Sequence, residues 1–152
     1  EFEDFSPKRI ILDKYLRTKQ KSYIYKTANK NNTIIFYNYA DKKKIYLFKK
    51  KGIQLIKSNL SNDKRFDLKL ILKKLFSLGC RNLLIEGGNE LTKSFLKKRL
   101  FNQFYLLRSP KKLSKIVDHK MSDFFKELSQ NYKSKNKINI KMGKDSIILY
   151  KN

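Results

Sequence analysis

Continuous apolar runs alternate with helically spaced stripes along most of the chain. Lys8-Arg9-Ile10-Ile11-Leu12-Asp13 is a short run, rich in β-branched residues and closed by a turn former, the pattern of a strand buried on both faces. Thr33-Ile34-Ile35-Phe36-Tyr37 repeats it, and the segment Lys21 to Thr27 between them reads as a short helix or an irregular turn. From Asp41 to Lys51 the apolar residues Ile45, Leu47 and Phe48 lie among lysines, and Gly52 stands where a helix would end at positive φ. A helix is therefore expected to feed a third strand, Ile53-Gln54-Leu55-Ile56. After a polar loop, Leu68, Ile71, Leu72, Leu75 and Phe76 recur at three- and four-residue spacing as far as Gly79, the clearest amphipathic helix in the chain.

Asn82 to Glu86 predicts a further short strand, Gly87-Gly88 a turn, and Leu91, Phe95, Leu96 and Leu100 another helix, together one unit of the βαβ kind. Phe104 to Leu107 predicts a strand stopped by Pro110, and Phe124, Phe125 and Leu128 a short helix. Ile138 to Met142 and Ser146 to Tyr150 flank Gly143-Lys144-Asp145 as a hairpin. No repeat, heptad or Pro/Gly-rich linker divides the chain, so one domain spanning 1–152 is expected. Its class is α/β: a mixed, mostly parallel sheet with flanking helices and a C-terminal β-hairpin.

Composition supports one core, since 40% hydrophobic and 13% aromatic content over 152 residues is enough to fill it. No stretch approaches the roughly 20 apolar residues of a membrane span. The N-terminus carries acids where a signal peptide has basic residues. A cytoplasmic protein with no membrane partner is the expectation. The formal charge of +24 invites a nucleic-acid reading, but only six of the 37 basic residues are Arg, the side chain that contacts phosphates and bases in bidentate fashion. The lysines are scattered, Asn is abundant and Ala occurs only at 28 and 40. A compositional bias giving a solvated Lys-rich surface is preferred over a nucleic-acid partner. Cys80, the single cysteine, sits beside Leu83-Leu84-Ile85 and reads as a buried structural thiol.

The segment that carries chemistry is Leu84-Ile85-Glu86-Gly87-Gly88-Asn89-Glu90-Leu91-Thr92: a strand-like run ending in an acid and two glycines ahead of a helix. Ligands favour that location, because glycine lets them approach the backbone and the N–H groups of a helix start attract phosphate. It is neither a Gly-x-Gly-x-x-Gly fingerprint nor a P-loop, and a tight turn with no ligand fits the same spacing.

Leu84 to Gly88, followed by Leu91, Ser94-Phe95-Leu96, Leu100 and Ser109-Pro110-Lys111, resembles the C-terminal reductase domain of bifunctional riboflavin-biosynthesis deaminase–reductases. Pro7 to Asp13 is similar to a strand midway through that domain, and Gly52 to Ile56 to its third strand, in the expected order. The resemblance implies a dihydrofolate-reductase-like fold. It also implies hydride transfer from NADPH to ribose C1′ of 5-amino-6-(5-phosphoribosylamino)uracil, a small-molecule phosphoribosylaminopyrimidine, giving the ribitylamino product. Glu86 would contact this substrate, and Gly87, Gly88, Asn89, Glu90, Leu91, Thr92, Lys93 and Ser94 would line the NADPH site. No catalytic acid or base is assigned. Glu86 has a second reading, as a carboxylate capping the helix that follows.

The same resemblance places the family's first strand, its early binding residues and a zinc deaminase domain ahead of Glu1, making 1–152 a partial reductase domain. His119 is the only histidine and Cys80 stands alone, so no zinc site of the deaminase kind can be built here. Two departures stand out: Lys14 where the family often has a small polar residue beside the cofactor, and Lys112-Leu113-Ser114-Lys115 where its loop is usually Gly-rich. The competing reading from another class is a non-catalytic Lys-rich nucleic-acid-binding protein, and a third is a reductase of pteridine or folate chemistry. An open sheet edge and an exposed apolar helix would suit a homodimer.

Overall fold

The computed structural model describes residues 6–110, 128, 130, 132, 135–138 and 143–152. It divides into two compact units, Glu1–Arg81 and Asn82–Asn152, each built around its own sheet.

In the first unit, β1 (Arg9–Leu12), β2 (Thr33–Tyr37) and β3 (Gln54–Lys57) lie parallel in that order. Ile11, Ile35 and Leu55 are in register across it. All five residues of β2 are buried, as a strand with neighbours on both sides and helices on both faces must be. Side chains alternate across the sheet. Ile35 and Tyr37 face one cluster with Leu16, Ala28, Phe48 and Ile53, packed by Tyr25 of α1 (Tyr23–Lys26) and Ile45 of α2 (Lys42–Lys50). Ile34 and Phe36 face the other, with Ile71 and Leu75 of α3 (Leu68–Ser77). The unit is thus three layers, a parallel sheet between helices, with both faces covered as expected.

Punctuation sets the helix limits. The Ser22 hydroxyl accepts from the Tyr25 N–H at 3.3 Å, and the Asp41 carboxylate from the Lys44 N–H at 2.8 Å. Asp67 accepts from Lys69 and Leu70 at 2.9 and 3.3 Å. Each places an acceptor on N–H groups that helix geometry leaves without a partner. Gly52 sits at φ +87° past α2, and a Cβ there would lie 3.2 Å from the Lys30 nitrogen, so a side chain would be both strained and crowded.

The second unit contains α4 (Asn89–Lys97) and an antiparallel sheet in which β6 (Ser146–Lys151) lies between β4 (Gln103–Arg108) and β5 (Lys135–Ile138). Leu96, Leu106, Leu128, Tyr132 and Tyr150 form its core with Phe101, Phe104 and Ile148. The buried Tyr132 hydroxyl donates to the Leu96 carbonyl at 2.9 Å, tying α4 to that core. Alternation leaves Tyr105 and Leu107 outward and exposed.

Four expectations need correction. Asn82 to Glu86 forms no paired strand: among the described residues no strand pairs with it, and Leu83 and Leu84 stay 39% and 79% exposed. An apolar run has the propensity of a strand but becomes one only when another strand meets its backbone groups. Phe76 does not join the buried stripe of α3. At about 100° per residue it lies at the stripe's margin, 61% exposed, with the Arg81 guanidinium 4.0 Å from its ring centroid. Cys80 is half-buried against the Ile71 and Leu75 cluster rather than fully buried. The described part of the expected hairpin pairs Ile138 with Ile147, but the strand before the turn starts at Lys135. Phe124, Phe125 and 139–142 lie outside the described residues. No described helix is long and apolar enough to cross a membrane.

This packing separates two phenylalanines. Phe36→Ala, at 1% exposure, is expected to cost about 3–5 kcal/mol in urea unfolding. Phe76→Ala should cost less than about 1 kcal/mol. Similar losses at both sites would contradict the assigned faces.

Candidate functional site

Each unit presents one place where backbone donors or charged side chains gather at the end of a secondary-structure element. The first is the start of α4. Gly88 is its N-cap at φ −64° and ψ 172°, and no side chain caps the helix. A helix start has N–H groups without intrahelical acceptors, and that of Asn89 is among them. The positive end of the helix dipole adds to them, so the place suits an anion.

The two glycines do different work. A Cβ on Gly87 would lie 2.8 and 2.9 Å from Leu91 Cδ2 and Cβ, so this glycine is required by contact with the helix it precedes. A Cβ on Gly88 would meet nothing within 4 Å. Space over Gly88 is open to a ligand, whereas that over Gly87 is filled by Leu91.

The remaining expected site residues divide likewise. Glu86 is exposed at the end of the irregular segment, and among the described residues its carboxylate makes no hydrogen bond. It does not cap α4, which removes its second reading. Asn89 and Glu90 are exposed in the first turn. The Thr92 hydroxyl lies 3.3 Å from both the Gly87 and Gly88 carbonyls, and the Ser94 hydroxyl donates to the Glu90 carbonyl at 2.8 Å. These two hydroxyls brace the turn. Leu91 and Lys93 are half-buried, Leu91 against Gly87. The geometry therefore gathers Glu86, Gly88 and Asn89 as the open part of the motif.

The second place is the carboxyl end of the parallel sheet, where ligands of α/β proteins commonly bind. The strand ends are latched together. The Asp13 N–H donates to the Phe36 carbonyl at 2.9 Å, and the Asn38 and Tyr39 N–H groups donate to the Lys14 carbonyl at 3.0 and 3.1 Å. The Ser58 N–H donates to the Tyr37 carbonyl at 2.7 Å, and the Asn38 amide to the Ser58 carbonyl at 3.0 Å.

Within the loop after β1, the Asp13 carboxylate accepts from the Arg17 N–H at 2.8 Å and from the Thr18 N–H and hydroxyl, both at 2.7 Å. Burial pushes the Asp13 carboxyl up, but the Arg17 N–H, the Thr18 hydroxyl and N–H and the Tyr15 N–H together hold it below the usual value of 3.8. Leu16 is fully buried at φ +49°, a conformation that costs a non-glycine residue about 1–2 kcal/mol. With Leu16 inward, Tyr15 and Arg17 are exposed. The Lys14 ammonium reaches the Lys64 carbonyl at 2.9 Å across the sheet end. Sequence reasoning singled out Lys14 but not this loop. Its signal was an acid closing a buried strand, with a threonine five residues on. Among the described residues there is no cluster of three or more His, Cys, Asp or Glu able to hold a metal ion.

Residues 1–118 match the family described as RibD C-terminal domain. The chain is 33% identical over 105 residues to the riboflavin biosynthesis protein RibD of Actinobacillus pleuropneumoniae, covering 69% of this chain and 28% of that protein. Over 146 residues it is 29% identical to RibD of Aquifex aeolicus, covering 95% and 38%. It thus spans roughly a third of the curated relatives it matches. Among solved structures it is similar to RibD of Acinetobacter baumannii, with a TM-score of 0.71 at 19% identity, covering 95% of this chain and 37% of that one. A pyrimidine reductase-like protein of Corynebacterium diphtheriae gives 0.66 at 15% identity, covering 95% and 60%. These likenesses show the fold, the dihydrofolate-reductase-like α/β arrangement expected from the sequence.

Two outcomes test the local geometry. Gly87→Ala should lower stability by about 1–3 kcal/mol through the clash with Leu91. Gly88→Ala should change it by less than about 1 kcal/mol, both read from thermal melts. Asp13→Asn should cost about 1–2 kcal/mol at pH 7. Because the folded pKa is depressed, that contribution is complete above 3.8 and lost as pH falls from there through the folded value. Urea titrations of wild type and variant should therefore converge in acid. A gap that persists unchanged there would refute this account of Asp13.

Proposed function

We propose, from the premise that this chain belongs to the RibD C-terminal domain family, that it forms the pyrimidine-reductase part of a riboflavin-biosynthesis enzyme. On this reading it uses NADPH to reduce 5-amino-6-(5-phosphoribosylamino)uracil at ribose C1′. The observation that carries the reading is the open backbone at Gly88, two residues after the exposed Glu86 carboxylate and at a helix start that no side chain caps. Those features fit a phosphorylated dinucleotide: the pyrophosphate needs N–H donors and freedom from side-chain bulk, and Gly88 and Asn89 offer both.

When bound, NADPH would supply the hydride. The chain's own residues would do the positioning. The Gly88–Asn89 backbone would hold phosphate oxygens, with the Thr92 hydroxyl keeping the turn rigid through the Gly87 and Gly88 carbonyls. Glu86 would accept hydrogen bonds from substrate hydroxyl or amino groups and so orient the sugar for hydride addition. No side chain is given the role of proton donor. The same reading treats 1–152 as part of one reductase domain, cytoplasmic and homodimeric, within a longer enzyme.

The test is substrate-dependent loss of reduced-nicotinamide absorbance by the full-length protein. Glu86→Gln is expected to lower kcat/KM about 10- to 100-fold, the equivalent of one charge-assisted hydrogen bond, with NADPH affinity unchanged. Gly88→Ala is expected to weaken NADPH binding without loss of stability. A folded wild-type protein that binds neither NADPH nor NADH would overturn the reading.

A further inference from the structure

Folding concentrates part of the lysine content on one layer of the first unit. Between Lys19 and Lys51 stand ten lysines and one acid, Asp41, and all of those lysines except Lys44 are exposed. The helices of this stretch, α1 and α2, cover the same face of the sheet. The Tyr25 hydroxyl donates to the Leu47 carbonyl at 3.3 Å, and the Tyr25 and Phe48 rings meet edge to face at 5.0 Å. The turn carrying Lys30 abuts the end of α2, since its backbone nitrogen is the nearest atom to a Cβ placed on Gly52. We infer that the outward side of this layer, centred on Lys43, Tyr46 and Lys50, is a docking surface for single-stranded nucleic acid, bound without sequence preference. The inference stands apart from the reductase reading and concerns a face that the reading does not use.

Three observations carry it. The first is the direction of α2. At about 100° per residue, packing of Ile45 and Phe48 towards Ile35 turns Lys43, Tyr46 and Lys50 to solvent, with Lys42 and Lys49 beside them. One helix face thus presents cations on both sides of an aromatic ring. The second is that folding does not account for the charge. Lysines in a last turn suit the negative end of the helix dipole, but Lys42, Lys43 and Lys44 fill the first turn, where no acid stands and the dipole disfavours cations. Asp41 is engaged as the helix cap, accepting from the Lys44 N–H at 2.8 Å. An anion against this face would relieve a repulsion that its own elements leave uncompensated.

The third observation is the tyrosines. Tyr25 turns inward onto Phe48, whereas Tyr23 and Tyr46 stay 78% and 62% exposed and, among the described residues, make no ring contact. A base stacks on an exposed ring whatever its identity, and an unpaired strand has base faces to offer. Lysine meets phosphate as a point charge, without the fork through which arginine reads base edges. No arginine stands between Lys19 and Lys51, so the surface suits a phosphate backbone and not a particular sequence. An anionic bilayer fits less well, because a helix lying in it inserts an apolar side, and that of α2 is spent in the core.

The test is binding of a fluorescently labelled oligouridine to the full-length protein, followed by anisotropy through a potassium chloride titration. Wild type should bind, with the logarithm of affinity falling linearly in the logarithm of salt concentration. Lys42→Ser/Lys43→Ser/Lys49→Ser/Lys50→Ser should lose about tenfold or more at low salt and flatten that slope by about 0.7 for each phosphate contact removed. Tyr46→Ala should lose about fivefold or more and leave the slope unchanged, since stacking releases no counterion. A control with the same charge change on the other helices, Lys69→Ser/Lys73→Ser/Lys74→Ser/Lys97→Ser, should bind as wild type does, with thermal melts confirming that each variant is folded. An equal loss in the control, no loss in Tyr46→Ala, or no binding by wild type would overturn the surface. Binding of wild type to vesicles of phosphatidylcholine and phosphatidylserine, but not to the oligonucleotide, would overturn the partner and assign the face to a membrane. NADPH-dependent reduction is read separately, and none of these outcomes bears on it.

Discussion

Burial of β2 on both faces is the constraint from which the first unit follows. Thr33 to Tyr37 cannot be enclosed unless strands flank it and helices cover it above and below. Ile35 and Tyr37 look to one cluster, Ile34 and Phe36 to the other. Both crossovers are thereby obliged to place apolar stripes, and all three strands end together. Their carboxyl ends emerge as one edge, where the chain must turn away from a dry interior. The backbone groups freed there are met by local bonds: Phe36 by Asp13, Lys14 by Asn38 and Tyr39, Tyr37 by Ser58. That edge is ordered by the core beneath it.

The two candidate regions offer different chemistry. The α4 start offers backbone N–H groups and an absence of side chain at Gly88. The β1 loop places the Lys14 and Arg17 cations beside the Tyr15 ring, on a turn held by the Asp13 carboxylate. Backbone donors impose shape, while long cationic side chains recognise charge with less demand on position.

Much of the fold was legible because independent signals agreed. Thr33 to Tyr37 is continuous, β-branched and bounded by polar residues, and it is a strand at those limits. Leu68 to Ser77 combines helical spacing with Asp67 before it and Gly79 after it. Agreement failed where the outcome depended on a partner far along the chain. Leu83 to Ile85 reads as a strand by composition alone, and no residue within it reports that no described strand pairs with it. The site was partly legible for the same reason. Glycines at 87 and 88 mark a close approach, but the adjacent letters do not say that one accommodates Leu91 and the other is open. The loop holding Lys14 and Arg17 depends on hydrogen bonds that the Asp13 carboxylate accepts from residues four and five positions on, a pattern without periodicity.

The two sheets also differ in the order in which their strands would leave the ribosome. In the first, spatial order follows chain order, β1, β2, β3, so each new strand finds its neighbour already made. In the second, β6 is the last of the three to be synthesised and lies in the middle. β4 and β5 share no ladder until it arrives, and that sheet therefore cannot assemble vectorially. The first unit is suited to folding during translation, whereas the second must wait for its final strand. Through that interval Phe104, Leu106 and their neighbours stay exposed, and chaperone demand would concentrate there.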